Sequence, residues 1–299
     1  MRIPIAWREA AADLWLAGPG VAAMVALIFL PMAVVVVLSF TDYQMGATSF
    51  QVIGFENYIR FFTDTVGQTA VINTLIYAII VVPCSMILGL LAALGLFRVS
   101  FSMPRFSHIL KTVYFLPVAA TLVAMAIAWQ MLLHPSIGLV NEVLTDLGLP
   151  QPAWLSDRGL VIYTLAVIGV WENLGYNMVL FLAGLAAIPR DLYDAVEIDG
   201  AQSGWDRFWS VTWPMLGPTT LFVLIVAATK AFRVFEVVAA ITRGGPGFSS
   251  TTLMYALYKE GFVYFKAGYA SAITVIFLII LLFITYAQFY LVEKRVHYR

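Results

Sequence analysis

The feature that most constrains the fold of this chain is a series of six long apolar runs. A helix rises about 1.5 Å per residue, so about 20 apolar residues cross the hydrocarbon core of a bilayer. The runs occupy approximately residues 14–40, 70–97, 108–133, 159–188, 215–242 and 268–292. The sequence therefore predicts an all-α integral membrane protein, in which six transmembrane helices form a single transmembrane domain over residues 1–299.

The composition supports this interpretation. Apolar residues make up 62% of the chain and charged residues 11%, and the mean hydropathy is +0.89. Soluble domains are about 45–50% apolar. Seventeen basic residues balance seventeen acidic ones, so no net charge favours nucleic acid as a partner. The first run is longer than the apolar core of a cleaved signal, roughly 7–15 residues, and we expect it to be retained as a span.

Metal, disulfide and catalytic chemistry find little support in the residue pattern. The single cysteine, Cys84, excludes an internal disulfide, and its position inside an apolar run predicts a buried structural thiol. The three histidines, His108, His134 and His297, show no ligand spacing. The apolar runs contain no clustered His, Asp or Ser constellation. We therefore expect no metal site, no cofactor and no catalytic residue, and a membrane-embedded enzyme is disfavoured.

The distribution of Lys and Arg favours both termini in the cytoplasm, because cytoplasmic loops carry an excess of these residues. In that orientation ten cations lie inside: Arg2, Arg8, Arg98, Arg105, Lys111, Arg190, Arg207, Lys294, Arg295 and Arg299. Five lie outside: Arg60, Arg158, Arg243, Lys259 and Lys266. Residues 98–111 carry three cations and no acid, whereas residues 134–158 carry three acids and one arginine. The segment 190–214 is then cytoplasmic.

A polar segment at 190–214 interrupts the apolar pattern between the fourth and fifth runs. Sixteen of its positions contain five acids: Asp191, Asp194, Glu197, Asp199 and Asp206. The spacing predicts a short amphipathic helix from Asp191 to Asp199 with an acidic outer face, reversed at Gly200. Ser203 and Asp206 form a capping signature for a second, aromatic-rich helix. Such a rigid knob suits docking to another protein, and a solvated connecting loop is the alternative.

Polar side chains inside the fourth and fifth runs need a reason, because a charge at mid-bilayer costs about 2.5–3.5 kcal/mol on insertion scales. They are Glu172, Asn173, Tyr176 and Asn177 in "WENLGYN", and Lys230, Arg233, Phe235 and Glu236 in "KAFRVFE". One interpretation is a wet cavity for a sugar, in which aromatic faces stack on the ring and polar groups bind hydroxyls. The alternative is structural: Arg233 pairs with Glu236, Lys230 pairs with Glu172, and the other groups bond between helices.

The stretch "DAVEIDGAQSGWDRFWSVTWPMLGP" resembles the EAA loop of the membrane subunits of binding-protein-dependent ABC importers. The matching positions are Ala195, Asp199, Gly200, Ala201, Phe208, Pro214 and Pro218. The chain departs from the pattern at Asp194, Val196, Val211 and Trp213, of which Trp213 is the least conservative. "LPVAAT" and "ITRGGPGFSSTTLMYALYKEGF" look like the carbohydrate-uptake branch, which contains maltose, trehalose and sn-glycerol 3-phosphate permeases.

This resemblance implies the six-span fold of a type I ABC importer permease and a coupling role for the polar segment, which in the family docks in a cleft of a separate ATPase. The docking residues carried over are Asp194, Ala195, Val196, Glu197, Asp199, Gly200 and Ala201. The related maltose permease binds sugar on the equivalents of the two polar segments. The resemblance therefore favours Tyr176, Asn177, Arg233 and Glu236, and together with the polar pattern it gives the predicted substrate-binding residues Glu172, Asn173, Tyr176, Asn177, Lys230, Arg233, Phe235 and Glu236.

The resemblance also implies the partners in a bacterial inner membrane. They are a second homologous permease, an ATPase dimer, an extracytoplasmic solute-binding protein, and a sugar, oligosaccharide or sn-glycerol 3-phosphate-like polyol. Gly244, Gly245 and Pro246 predict a tight turn over the cavity mouth within reach of the binding protein, or alternatively a plain connection. The chain lacks a phosphate-binding G-x-x-x-x-G-K-[ST] loop, so ATP is expected on the partner. The competing hypothesis is an ion-gradient-driven transporter in which Glu172 and Glu236 carry protons.

Overall fold

The computed structural model describes residues 17–200 and 203–293, and this part of the chain is helical. The helices are α1 (Ala17–Leu38), α2 (Glu56–Thr63), α3 (Thr65–Ser102), α4 (Pro104–Ala119), α5 (Leu122–Leu132), α6 (Leu139–Asp146), α7 (Val161–Ala186), α8 (Arg190–Ile198), α9 (Gly204–Met215), α10 (Gly217–Phe232), the π-helical turn α11 (Val238–Thr242), α12 (Leu253–Tyr258, continued by a π-helical turn at Lys259–Val263) and α13 (Ala267–Glu293). An isolated bridge joins Thr41 to Val52, and the described residues form no strand. The all-α prediction is confirmed.

Four single helices are long and apolar enough to cross a membrane: α1, α3, α7 and α13. Two bent pairs supply the remaining candidates. The pair α4 and α5 is bent by 101°, and the pair α9 and α10 by 66°. Residues 17–200 and 203–293 therefore contain up to six candidate spans if each bent pair crosses the membrane once.

Two of the predicted runs are interrupted helices. In the run 108–133, Ala120 and Thr121 are extended, with ψ angles of 142° and 140°, so the chain turns sharply between α4 and α5. In the run 215–242, the helix ends at Phe232 and resumes at Glu236, two residues before the π-helical turn at Val238–Thr242. The first break lies in apolar sequence, where hydropathy carries no signal of a change in backbone conformation, whereas the second lies beside the charged residues Lys230, Arg233 and Glu236.

Contacts between residues group the chain into two units. One contains residues 17–64 and 257–278 of the described chain, and the other contains residues 65–256 and 279–293. The single transmembrane domain remains a prediction. Every described residue with a predicted site role lies in the second unit.

In the first unit, polar contacts stabilise the segment that follows α1. The buried Asn57 side chain donates to the carbonyl oxygens of Ser39 and Thr41, at 2.9 and 2.8 Å. Gly268 permits a close backbone approach, because a Cβ there would lie 2.1 Å from the Thr41 carbonyl oxygen. α1 itself exposes large apolar side chains such as Leu27, as expected for a helix in contact with lipid.

In the second unit, the core lies along the contact between α3 and α7. Met178, Phe181 and Leu185 of α7 are buried in one cluster with Ala93 of α3. The same cluster includes Val211 of α9 and Val223 of α10. The core therefore holds α9 and α10 against the two long helices that carry the predicted site.

The outward face of α3 is exposed and apolar, as Ile79 and Ile87 illustrate. Cys84 is exposed on this helix as well, so the prediction of a buried thiol is wrong. The physical reason is that a membrane helix is apolar on every side. Position inside an apolar run therefore does not distinguish the lipid-facing surface from the core.

Candidate functional site

A cavity of about 350 Å³ opens where α10 ends. Side chains from α7, α10 and the segment after α10 line it together. Six of the eight predicted substrate-binding residues are among them: Glu172, Asn173, Lys230, Arg233, Phe235 and Glu236. We call this space the central cavity. The structure therefore brings together two segments that are more than fifty residues apart in sequence.

The break after α10 gives the central cavity its shape. The amide of Val234 donates to the Ala231 carbonyl oxygen at 3.3 Å, closing a last turn before the chain leaves the helix. The buried Thr252 hydroxyl donates to the Val234 carbonyl oxygen at 3.0 Å and satisfies a group that a continuous helix would have bonded. Arg233 and Glu236 lie on either side of this irregular stretch, and both side chains are exposed. Irregular backbone of this kind is tolerated at membrane depth where it lines a cavity.

The charged residues of the central cavity form no direct ion pair with one another. Within residues 17–200 and 203–293, no cation lies within 4.0 Å of a carboxylate oxygen of Glu172 or Glu236. The Lys230 ammonium instead lies 4.3 Å from the ring centroid of Tyr176, a cation–π contact. The expected structural pairs Arg233–Glu236 and Lys230–Glu172 are therefore not formed. Two cations and two carboxylates therefore border one cavity without a direct ion pair between them.

Two asparagines of α7 have different environments. Asn173 lines the central cavity, and its amide nitrogen donates to the Gly169 carbonyl oxygen at 2.8 Å. Asn177 does not line it: its side chain is 1% exposed and donates to the Ser85 hydroxyl on α3 at 2.9 Å. The structure therefore corrects the assignment of Asn177 to the cavity wall and gives it the alternative role of an interhelical hydrogen bond. A signal for this existed in Gly89, one turn beyond Ser85, since small residues mark close helix contacts.

Six lining residues were not predicted from the sequence, and two of them come from helices outside the two predicted segments. Tyr77 of α3 and Met254 of α12 both border the central cavity. Tyr77 is buried, and its hydroxyl approaches Gly169, where a Cβ would lie 2.1 Å from that oxygen. The sequence gives only a weak signal for this contact, because neither Tyr77 nor Gly169 indicates which helix it packs against.

The predicted polar knob forms a helical hairpin. α8 ends at Ile198, and Gly200 has a φ of 96°, the left-handed conformation that the reversal requires. The predicted capping box is confirmed: the Asp206 amide donates to the Ser203 hydroxyl at 3.0 Å, and the Ser203 amide donates to the Asp206 carboxylate at 3.3 Å. We call residues 190–215 the coupling hairpin.

The predicted docking residues differ in exposure. Five of them are exposed on the hairpin: Asp194, Ala195, Glu197, Asp199 and Gly200. Val196 is half-buried and packs against the core of the second unit. Ala201 lies outside the described residues. The exposed positions are the ones that a docking partner could reach.

Three interactions hold the coupling hairpin together. The Tyr193 hydroxyl lies 3.0 Å from the Thr212 hydroxyl, which links α8 to α9. The Arg207 guanidinium lies 3.1 Å from the Glu197 carboxylate. Both partners of this pair are partly exposed, so it stabilises by about 1 kcal/mol or less. Along α9, Trp205, Phe208, Trp209 and Trp213 form a ladder of ring contacts with centroid separations of 5.3–6.1 Å.

The segment at 243–252 forms a fixed turn. Gly244 has a φ of 78°, and a Cβ there would lie 2.7 Å from both Thr251 Oγ1 and Tyr255 Cε1. The Ser250 hydroxyl donates to the Gly245 carbonyl oxygen at 2.6 Å. Pro246 follows, half-buried. The tight turn predicted at 244–246 is therefore present, with its backbone held by hydroxyls that are themselves buried.

Residues 85–298 match the family described as "Binding-protein-dependent transport system inner membrane component". The chain belongs to this family. This permease is 33% identical over 247 residues to the sn-glycerol-3-phosphate transport system permease protein UgpA of Agrobacterium fabrum, covering 82% of each chain. It is 32% identical to the probable ABC transporter permease protein YurN of Bacillus subtilis, covering 87% of this chain and 89% of that one.

A solved structure has the same fold. A bacterial ABC transporter involved in the import of the acidic polysaccharide alginate matches with a TM-score of 0.82 at 20% identity, covering 97% of this chain and 99% of that one. Together with the family, this match confirms the predicted ABC importer permease fold. The protein is a multi-pass inner membrane component of a binding-protein-dependent, ATP-driven import system.

Proposed function

We propose that this permease forms half of a translocation pathway for a small polyhydroxylated solute and couples it to ATP hydrolysis on a separate subunit. The observation that carries the proposal is the central cavity, where Glu172, Arg233 and Glu236 have no ion-pair partner within the described residues. Unpaired charges at membrane depth are expensive unless a solute or water uses them. The hydroxyl groups of a polyol donate hydrogen bonds to carboxylates and accept them from Lys and Arg.

For the solute, an sn-glycerol 3-phosphate-like polyol is the leading candidate. Two cations, Lys230 and Arg233, border the same cavity, and the curated relatives include sn-glycerol-3-phosphate permeases. An uncharged sugar or oligosaccharide is the second candidate. It is favoured by the two carboxylates, Glu172 and Glu236, which offset the cations and repel a phosphate.

The identity of the solute is tested by measuring uptake into proteoliposomes that contain the assembled transporter and its binding protein. A charge-assisted hydrogen bond contributes about 1.5–3 kcal/mol, so Arg233→Gln should raise the KM for sn-glycerol 3-phosphate by about tenfold or more. Arg105→Gln removes the same charge from an exposed position outside the cavity and serves as the control. Uptake of maltose but not of sn-glycerol 3-phosphate would establish the second candidate. Equal uptake by the parent protein, the Arg233 variant and the Arg105 variant would show that the cavity is not part of the pathway.

The ATPase is proposed to dock on the coupling hairpin through Asp194, Ala195, Val196, Glu197, Asp199, Gly200 and Ala201. Support comes from the rigidity of the hairpin and from the exposure of its acidic face. This chain then contributes no ATPase site of its own. Closure of the ATPase dimer would move the hairpin as a body, and α7 and α10 with it, because all three share one core.

Replacing Gly200 tests the coupling. Valine there would force a β-branched residue into the left-handed region and distort the reversal. Substrate-stimulated ATP hydrolysis should fall to the basal rate. Gly148→Val imposes the same strain in a loop outside the hairpin, since Gly148 has a φ of 69°, and should leave stimulation intact. Normal stimulation in the Gly200 variant would exclude the coupling role.

The remaining partners complete the proposed assembly. A second, homologous permease supplies the other half of the pathway, and an extracytoplasmic binding protein contacts the turn at Gly244, Gly245 and Pro246. Both termini lie in the cytoplasm on the same side as the hairpin. Uptake driven by a pH gradient in vesicles without ATP would instead establish the ion-gradient mechanism through Glu172 and Glu236.

A further inference from the structure

A second cavity, of about 910 Å³, lies between the end of α3 and the coupling hairpin. It shares no lining residue with the central cavity. Its lining includes Leu90, Leu94, Phe97, Arg98, Trp205 and Arg207. We call it the hairpin groove. Its volume lies within the range of about 300–1,000 Å³ that is typical of small-molecule sites.

One side of the hairpin groove is apolar and belongs to the last turns of a membrane-spanning helix. Leu90, Leu94 and Phe97 lie on one face of α3, at spacings of four and seven residues. They fall inside the apolar stretch Thr65–Val99 that is long enough to span the bilayer. Leu185 of α7 also lines the groove. This wall therefore lies at the depth of lipid acyl chains.

The other end of the groove is cationic. Arg98 is the first charged residue after the apolar part of α3, and within the described residues its guanidinium has no hydrogen bond or ion pair. It lies against Gly204, where a Cβ would be 2.9 Å from Arg98 Nη2. Arg207 also lines the groove, and its guanidinium is shared with Glu197. The exposed Arg98 charge therefore has no ion-pair partner among the described residues.

The aromatic ladder indicates the depth of this cationic end. Trp205, Trp209 and Trp213 are exposed along α9, and Trp205 also lines the groove. Tryptophan is enriched at the level of lipid headgroups, where its ring is apolar and its N–H is hydrated. The groove thus runs from headgroup level, at Arg98, to acyl-chain depth, at Leu90.

We propose that the hairpin groove binds an anionic phospholipid. Its phosphate contacts Arg98, its headgroup lies beside Arg207, and one acyl chain packs along Leu90, Leu94 and Phe97. An acidic protein segment would satisfy the charge and leave the apolar wall uncovered. A fatty acyl chain alone would leave Arg98 unpaired. Basic pockets between transmembrane helices are known sites for anionic headgroups. Bound there, the lipid connects α3 to the coupling hairpin.

Native mass spectrometry of the assembled transporter tests the proposal. Phosphatidylglycerol should bind more tightly than phosphatidylcholine with the same acyl chains. Arg98→Gln should weaken phosphatidylglycerol binding by about five- to tenfold, since each arginine near the surface contributes about 1 kcal/mol with anionic lipid and more in a pocket. Arg105→Gln, an equal loss of charge at an exposed position of α4 outside the groove, should leave binding unchanged. Leu94→Trp keeps Arg98, fills the apolar wall and should weaken binding of both lipids.

Three results would overturn the proposal. The first is equal affinity for the two lipids, or equal losses in the Arg98 and Arg105 variants. The second is full competition by inorganic phosphate or by glycerophosphoglycerol at the same concentration, because the groove would then be a site for a free anion. The third is release of the ATPase subunits from the Arg98 variant with lipid affinity unchanged, which would identify a protein segment as the occupant. The variants should melt within about 2 °C of the parent protein, so that a folding defect does not account for the loss of lipid affinity.

Discussion

Replacing Gly175 by alanine should weaken the packing of α7 against α4. A Cβ at this position would lie 1.9 Å from the carbonyl oxygen of Tyr114, 2.8 Å from the Tyr114 carbonyl carbon and 3.2 Å from the Phe115 Cα. All three atoms belong to the backbone of α4, so no side-chain rotation can relieve the overlap. Ordinary van der Waals contact begins at 3.4 Å. The helices must therefore separate by roughly 1.5 Å at this point, since the tightest contact falls short by about that distance.

Two effects of the Gly175 substitution oppose each other. Alanine favours a helix over glycine by about 0.5–1 kcal/mol, because glycine loses more backbone entropy on folding. Overpacking of a closely packed contact costs about 1–3 kcal/mol, and the cost here lies at the upper end because backbone must move. The net expectation is a destabilisation of about 1–2 kcal/mol. At about 2–4 °C per kcal/mol, the melting temperature should fall by roughly 2–8 °C.

Thermal melting of the purified protein in detergent measures this difference, and Gly95→Ala is the matched control. Gly95 lies in the interior of α3, and a Cβ there meets nothing within 4 Å. Gly95→Ala should leave the melting temperature unchanged or raise it slightly. A Gly175 variant as stable as the Gly95 variant would refute the close approach of α4 and α7. Because Gly175 lies one turn from Glu172, the Gly175 variant should also transport more slowly.

Three further substitutions probe separate contacts. Asn177→Leu removes the buried partner of Ser85 and should lower the melting temperature without raising the substrate KM. A raised KM would indicate that Asn177 contacts the substrate. Gly244→Ala forces a Cβ into contact at a left-handed φ, and should reduce stimulation of ATP hydrolysis by the binding protein; unchanged stimulation would contradict a role for the turn. Ser203→Ala removes the cap of α9, worth about 0.5–2 kcal/mol, and should speed proteolysis within the hairpin, whereas an equal cleavage rate would argue against the cap.

The coupling hairpin was predicted well because its signals are local. Gly200 and the Ser203–Asp206 capping box act over at most three residues, so the sequence contains the whole interaction. The break after Phe232 was not predicted, because the group that stabilises it is distant in sequence. Thr252 donates to the Val234 carbonyl oxygen across eighteen residues. Hydropathy cannot distinguish this stretch from a continuous helix, since it is apolar on both sides.

The central cavity was predicted in part for a related reason. The charged residues stand out against an apolar background, and Glu172, Lys230, Arg233 and Glu236 do line one space. Asn177 shares their segment and their polarity, yet it bonds to Ser85. The choice between these outcomes depends on how α7 is rotated about its axis against α3. That rotation is fixed by close contacts between helices, which a single sequence does not specify.

α7 connects the two proposed sites physically. Glu172 and Asn173 border the central cavity, and the same helix continues to Ala186, four residues before α8 begins. Fourteen residues of helix span roughly 21 Å. Because α7 is continuous and packs along α3, the proposed displacement of the coupling hairpin would reach the cavity through one rigid element. α10 contrasts with α7, since it leads from the hairpin to a break at the cavity. A rigid helix and a broken one meet at the same charges. Under the proposed coupling, a movement of the hairpin would therefore change the separation of Glu172 from Arg233 between binding and release of a solute.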